Sequence, residues 1–191
     1  MAVDAYIWFK AAQNAAALSP KGETTDAFFG AADVNAFELK DFSFSVENKS
    51  TVGSATGGAG GGKIEFKEFE IKKPTDAASP LFFRNCAAGM HYEVVSIAIR
   101  KSGGDAGTAG GASGSPYLVF HFGTVFTTKI GWSGPGDEGP SESITFSYGE
   151  LKIMYYPQKA DGTMDTQAKI AEWSQLKNIN KFAGTPTKFA T

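Results

Sequence analysis

Glu142-Ser143-Ile144-Thr145-Phe146-Ser147-Tyr148-Gly149-Glu150-Leu151-Lys152-Ile153-Met154-Tyr155 changes face halfway along. Ile144, Phe146 and Tyr148 stand at even positions, then Leu151, Ile153 and Tyr155 at odd ones. Side chains of a strand alternate faces with a period of two, so a one-residue slip moves the apolar set to the other face. A β-bulge absorbs such a slip and bends the strand, which places one at Gly149-Glu150. The same slip occurs twice more. Phe37 and Leu39 give way to Phe42, Phe44 and Val46 about Lys40-Asp41, and Ile64 and Phe66 give way to Phe69 and Ile71. Three bent strands predict a sheet that curls, as in a small barrel.

Outward from these three, Val3 to Lys10, His91 to Arg100 and Tyr117 to Ile130 also read as strands, for seven or eight in all. Gly131 to Pro140 reads as a Gly/Pro turn. Ser79-Pro80-Leu81 opens a helix, with Ser79 as the cap and Pro80 at the first helical position. Phe82, Phe83, Cys86, Ala87 and Met90 then fall on one helical face, and Gly89 suits the stop. Ala168 to Phe182 is mixed, with Trp173 and Leu176 as anchors. Two segments are rich in glycine: Gly53 to Gly62 and Ser102 to Ser115. The expected fold is mainly β, a small curved barrel of antiparallel strands with one packed α-helix. We expect one domain over residues 1–191, with 183–191 a flexible tail.

Composition narrows the function classes. The chain has 191 residues, enough for one β domain with a core. Hydrophobic residues at 42% argue against disorder, and the sixteen phenylalanines recur at strand spacing and should fill the core. A net charge of -2 gives no electrostatic case for nucleic acid. One cysteine, Cys86, excludes an intramolecular disulfide framework. The first residues lack a basic segment followed by an apolar run, so we expect no secretory signal peptide. No apolar stretch approaches the ~20 residues needed to span a bilayer, so we expect no direct membrane insertion. Synthesis in the cytoplasm is the default, with any export by a route that uses no N-terminal signal.

No motif assembles into catalytic equipment. Gly57-x-x-x-x-Gly62-Lys63 approaches a phosphate-binding loop, but Ile64 stands where Ser or Thr would hold magnesium, and it begins a strand. His91 follows the helix, where a cation helps the dipole. His121 alternates with Phe120 and Phe122, so it should lie on the face opposite the core. Two histidines and Cys86 lack metal-ligand spacing. No G-x-S-x-G elbow occurs, and Cys86 on an apolar helix face reads as a small core residue. Glu38, Asp41, Glu65, Glu68 and Glu70 read as solvated strand faces. We therefore expect no catalytic, cofactor or metal site, and no enzyme.

The ordered set Met1-Ala2-Val3-Asp4-Ala5-Tyr6, Lys21-Gly22-Glu23-Thr24-Thr25-Asp26 and Phe37-Glu38-Leu39-Lys40-Asp41-Phe42-Ser43-Phe44 resembles the N-terminal half of Hcp, the haemolysin-coregulated tube protein of bacterial type VI secretion. The similarity continues in Gly61-Gly62-Lys63-Ile64-Glu65-Phe66, in Ala78-Ser79-Pro80-Leu81-Phe82, and through Cys86-Ala87-Ala88-Gly89-Met90-His91. It resumes at Glu142-Ser143-Ile144 and Tyr156-Pro157-Gln158-Lys159-Ala160-Asp161-Gly162. The resemblance implies a structural β-barrel that forms a homohexameric ring. It implies that rings stack into a tube within a contractile sheath, are expelled with a spike protein, carry small effectors and appear outside the cell without a signal peptide. It also implies that the long early loop meets neighbouring subunits. By position that loop is Asn48 to Lys63, and the assembly candidates are Asn48, Lys49, Gly53, Gly57, Gly58, Gly60, Gly61, Gly62 and Lys63. Ala11 to Pro20 and Ser102 to Ser115 look like insertions relative to the family.

Two other readings share this pattern. One is a β-barrel or jelly-roll binding module, lectin-like, which would be a monomer or dimer with a small-ligand site. The other is a phage-like tail-tube protein, which shares the physics of a ring.

Overall fold

The computed structural model describes residues 3–11, 18–26, 28–30, 34–49, 62–101, 115–136, 139–159 and 164–186. Within these lie ten strands and one helix. They are β1 (Val3–Ala11), β2 (Phe37–Glu38), β3 (Asp41–Ser43), β4 (Val46–Asn48), β5 (Ile64–Phe66), β6 (Phe69–Pro74), α1 (Ser79–Ala88), β7 (His91–Lys101), β8 (Leu118–Gly136), β9 (Gly139–Tyr155) and β10 (Lys169–Ser174). The fold class is as the sequence reads: mainly β, one antiparallel curled sheet and one helix. The main sheet runs β2-β1-β7-β8-β9-β6-β3, with β10 also on β9.

The two ends of that order are one stretch of chain. Phe37 pairs with Ile7 on β1, and Leu39 N–H donates to Ala5 O. One residue later Lys40 N–H donates to Lys72 O, and Phe42 pairs with Ile71 on β6. The chain leaves one edge and joins the other at Leu39-Lys40, so the sheet curls back on itself. The apolar slip read there marks a change of partner rather than a bulge. The second slip behaves likewise. Ile64–Phe66 pairs only with β4, in a separate two-stranded ribbon, and the chain enters the main sheet at Phe69.

The third slip has a different cause from the one expected. The β8–β9 ladder holds its register through Gly149-Glu150, with Gly123 opposite Glu150 and Val125 opposite Tyr148. No residue is inserted there. Instead three neighbouring strands change face together. Tyr92, Val125 and Tyr148 form one row of core residues, and Val95, Phe122 and Leu151 form the next. The two residues between them in each strand turn outward. A crease therefore crosses the sheet at Glu93, Thr124 and Gly149, and Thr124 takes it up with φ of 52°. The ladder's register shifts fall instead at Thr128, whose hydroxyl donates to Thr145 O, and between Ser133 and Gly136. The region read as a turn from Gly131 is also strand, as far as Gly136 and again from Gly139.

The core inside the curl is largely aromatic. Phe69 stacks on Phe122 and Phe146, with ring centroids 4.3 and 4.7 Å away. Each such ring contributes about 2–3 kcal/mol by leaving water. Helix α1 closes one end, where Phe82 meets Phe9 edge-on at 5.1 Å. Its buried face is narrower than the sequence suggested. Phe82 and Asn85 are buried, while Phe83 and Ala87 are exposed. Asn85 is tolerated because its amide donates to Leu18 O and to Tyr92 Oη, both at 3.0 Å. Ser79 is not the cap. Ala78 holds that position, Asp76 accepts Ala78 N–H, and Ser79 Oγ accepts Asp76 N–H. Gly89, at φ of 61°, ends the helix as expected.

The outer face is covered in two places by the chain itself. Beside β1, Phe29 stacks on Tyr6 at 4.1 Å and joins Trp8, Val34, Ala36, Ala98 and Val119 in a second cluster. Asp26 fastens this cover, accepting Phe28 and Phe29 N–H and pairing with Arg100. Over the crease lies the C-terminal segment. Ala183 to Thr185, expected to be loose, are docked there. Ala183 N–H donates to Glu150 Oε2, Lys10 Nζ donates to Thr185 O, and buried Phe182 packs on His121. Residues 12–17, 102–114 and 187–191, which hold most of both insertions and the tail's end, lie outside the described residues.

Candidate functional site

The assembly-loop candidates sit on the β4–β5 ribbon. Val46, Glu47 and Asn48 pair with Phe66, Glu65 and Ile64. Of the nine candidates, Asn48, Lys49, Gly62 and Lys63 are placed at its open end, whereas Gly53, Gly57, Gly58, Gly60 and Gly61 lie outside the described residues. Gly62 is the one glycine there whose lack of a side chain has a visible reason. A Cβ at that position would run into the Lys49 carbonyl and approach Asn48 Oδ1. The two arms come together at the mouth of the loop because residue 62 has none.

Charge organises the ribbon's exposed face. Glu47 and Glu65 stand directly opposite one another, an arrangement that destabilises a strand pair unless cations intervene. Lys67 intervenes, 3.2 Å from Glu47 and 2.8 Å from Glu65, and Lys49 lies 3.1 Å from Glu65. Hydrogen bonds from Lys67 and then Lys49 hold the Glu65 carboxyl below its ordinary range. Hydrogen bonds to Glu65 and then Glu47 raise the Lys67 ammonium. The sequence had read Glu65 and Lys67 as a solvated face, which they are, and the structure adds that they form a network.

The ribbon is tied to the barrel at Phe66. Phe66 stacks on Tyr148 at 5.1 Å, and its N–H donates to Gln175 Oε1 at 2.7 Å. Gln175 was missed in the sequence, and no local signal marks it. It is a turn residue that becomes a clamp only because β10 runs back beside β9.

The residues weighed for chemistry are kept apart. His91 pairs with Phe126 and His121 with Ser96, which puts five residues of strand, about 16 Å, between them. His121 does point away from the core, as read, but Phe182 covers it. Burial, then the charge of Lys152, lowers its pKa to about 4, and Nδ1 lies 2.8 Å from Ser96 Oγ. Cys86 is half-buried on α1. Among the described residues no three metal-binding side chains gather, and no helix is long and apolar enough to cross a membrane. An open groove of about 360 Å³ follows the crease, edged by His91, Glu93, Thr124 and Leu176. Glu150 also borders it, but both of its oxygens are engaged, by Ser174 and Ala183. The groove offers no nucleophile with an adjacent base.

What the geometry offers is surface: a charged ribbon set off from a curled antiparallel sheet. Comparison with known proteins agrees. The chain is 28% identical to protein hcp1 of Pseudomonas aeruginosa over 118 residues, which are 61% of this chain and 68% of that protein. A solved structure described as a type six secretion system protein superposes with a TM-score of 0.76 at 24% identity, covering 94% of this chain and 100% of the other. Hcp1 from Salmonella typhimurium superposes with a TM-score of 0.64 at 21% identity, covering 93% and 98%. The family model for the type VI secretion system effector Hcp matches residues 9–155, from the first strand to the end of β9. The chain belongs to the Hcp family, the structural tube proteins of the type VI secretion system.

Proposed function

We propose that this chain closes into a six-membered ring, that the rings stack into the tube, and that Asn48 to Lys63 is a principal contact between subunits. The observation that carries this reading is the ribbon. It is a sheet of its own that meets the barrel core through Phe66, braced by three ion pairs and held at its root by Phe66 and Gln175. A projection with an ordered base and a charged face is built to meet another surface. A closed ring requires a head-to-tail contact, and a stable one buries roughly 1,000 Å² or more.

In this reading the whole chain acts as one barrel domain. The tube is expelled with its spike from within a contractile sheath, leaves the cell, and carries small effectors in its channel. Secretion by the type VI system is general to the family, and these finer steps are proposed for this chain. The test is the mass in solution, by light scattering behind a sizing column. One subunit is 20.2 kDa. A particle about six times as heavy, with a central hole in electron micrographs, is the expected result. A monomer at all concentrations, including with spike protein added as a nucleus, overturns it.

A further inference from the structure

The segment that crosses the outer crease is held by a seat built from four strands. Phe182 lies over His121 of β8, with ring centroids 6.3 Å apart. It also lies on bare backbone at Gly123, where an added Cβ would be 3.1 Å from Phe182 Cε2. Ala183 N–H donates to buried Glu150 Oε2 of β9 at 2.8 Å. Gly184 lies against β7, where an added Cβ would be 2.7 Å from Val94 Cγ2. Thr185 N–H donates to Glu93 Oε1 of β7 at 3.4 Å, and Thr185 O accepts from Lys10 Nζ of β1 at 2.9 Å.

These contacts say what the seat requires of an occupant. It needs an aromatic ring over Gly123, then a residue with a free N–H for Glu150, then a residue as small as glycine. The contacts of Thr185 are to its backbone, so that position accepts any residue but proline. An empty seat leaves Glu150 Oε2 without its partner, and an unmet buried acceptor is costly.

The sequence carries this segment twice. Lys181-Phe182-Ala183 is followed seven residues later by Lys188-Phe189-Ala190, and the pair Lys-Phe occurs nowhere else in the 191 residues. The second copy meets the first two requirements. It departs at the third, since Thr191 stands in the place of Gly184. A Cβ there presses on Val94, so the second copy fits less well than the first. Its reach is sufficient. The turn before the seat is anchored at Ile179, which pairs with Ser174. Closing ten residues from that anchor instead of three adds a modest cost, because closure entropy grows slowly with length.

We propose that the outer crease is a peptide seat for a Phe-Ala segment, that this chain carries two occupants for it, and that Phe189-Ala190 takes the seat when Phe182-Ala183 leaves. Phe189 then lies over Gly123 and His121, and Ala190 N–H meets Glu150. Residues 181–187 pass into the loop after Ile179. The exchange lets out seven residues of chain on the outer face and still gives Glu150 a partner.

Phe182→Ala in the full-length chain removes the first occupant and leaves the second. Ring protons of Phe189 should then show nuclear Overhauser contacts to the His121 imidazole. The His121 pKa, about 4 in the unaltered chain, should rise only part of the way, and should rise further in Phe182→Ala/Phe189→Ala. Thr191→Gly added to Phe182→Ala restores the small third residue and should bring the pKa back down. Phe189→Ala alone should leave it unchanged, because Phe182 keeps the seat. Phe182→Leu repeats the series if Phe182→Ala does not fold. An imidazole that titrates alike in Phe182→Ala and in the double variant overturns the proposal, and so does the absence of any contact from Phe189 in Phe182→Ala.

Discussion

Lys73 and Glu142 face each other across β6 and β9, both buried, with Nζ 2.7 Å from Oε1. Lys73 Nζ also lies 2.8 Å from Asp76 and donates to Pro74 O. The ammonium sits above the rings of Phe37 and Phe82, at 5.1 and 5.7 Å. One buried cation thus joins the end of β6, the start of β9, the turn before α1 and the aromatic core. A buried pair gains little over apolar neighbours, but removing one partner strands the other charge. Glu142→Gln should cost about 3 kcal/mol, and so should Lys73→Met. The double variant should cost less than their sum by about 1–3 kcal/mol. Urea unfolding of the four proteins gives the cycle, and strict additivity would show that the pair is not coupled.

Thr124 holds a left-handed backbone in the middle of β8, at φ of 52°, where a β-branched residue is strained by about 1–2 kcal/mol. The crease needs that conformation, because Phe122 and Val125 must both face the core. Glycine adopts it freely but is more disordered when unfolded, at about 0.5–1 kcal/mol. Thr124→Gly should therefore stabilise the protein by up to about 1 kcal/mol, read as a higher midpoint in urea. A lower midpoint would mean that the threonine side chain holds the crease through contacts that outweigh its strain.

The curl was legible because a change of face is written in one short stretch of sequence, although the cause at these places is a change of strand partner and not the bulge expected. Leu39-Lys40 and the break before Phe69 show it plainly. The crease was half legible. Tyr148 and Leu151 betray it in β9, and Phe122 with Val125 repeats the signal in β8, but only the register shows that the strands fold along one line. What could not be read was burial decided at long range. Asn85 is inside because Leu18 and Tyr92 receive its amide. His121 and Glu150 are covered because Phe182 and Ala183 return across the sheet. Leu18, Phe182 and Ala183 each lie tens of residues from the group they cover, in segments with no periodicity of their own. At the candidate site, the loop's position and its glycines were legible, whereas the clamp at Gln175 was not.

The cover over His121 makes a prediction about pH. Burial lowers its pKa to about 4 from 6.5, so between those values the unfolded chain binds a proton that the folded chain refuses. Stability is then lost as pH falls from 6.5 to about 4, by roughly 3 kcal/mol from this group at 1.36 kcal/mol per unit. His121→Gln keeps a partner for Ser96 and should flatten that part of the profile. Phe182→Ala uncovers the ring and should raise its pKa, which NMR titration of the imidazole reads directly. A pKa left near 4 in Phe182→Ala would mean that the C-terminal segment is not what excludes water.

Gly62→Ala separates the ribbon's role in folding from its role in assembly. The new methyl has nowhere to go, because the Lys49 carbonyl occupies its place, so the arms must part. Parting them loosens the Lys49–Glu65 contact and displaces the mouth of the loop. None of the core side chains need move, since β4 and β5 form a sheet of their own. Unfolding free energy should change by no more than about 1 kcal/mol, the scale of a strained surface site. Mass in solution should fall towards a single subunit, because the contact surface is misplaced. Glu65→Gln is the control: it removes charge from exposed ion pairs of small individual worth and leaves the backbone alone, so it should leave stability nearly unchanged. Light scattering and urea unfolding on the same samples decide the matter. Gly62→Ala rings as heavy as those of the unaltered chain would mean that Asn48 to Lys63 is not the contact, whereas a collapse of stability would mean that the ribbon belongs to the fold.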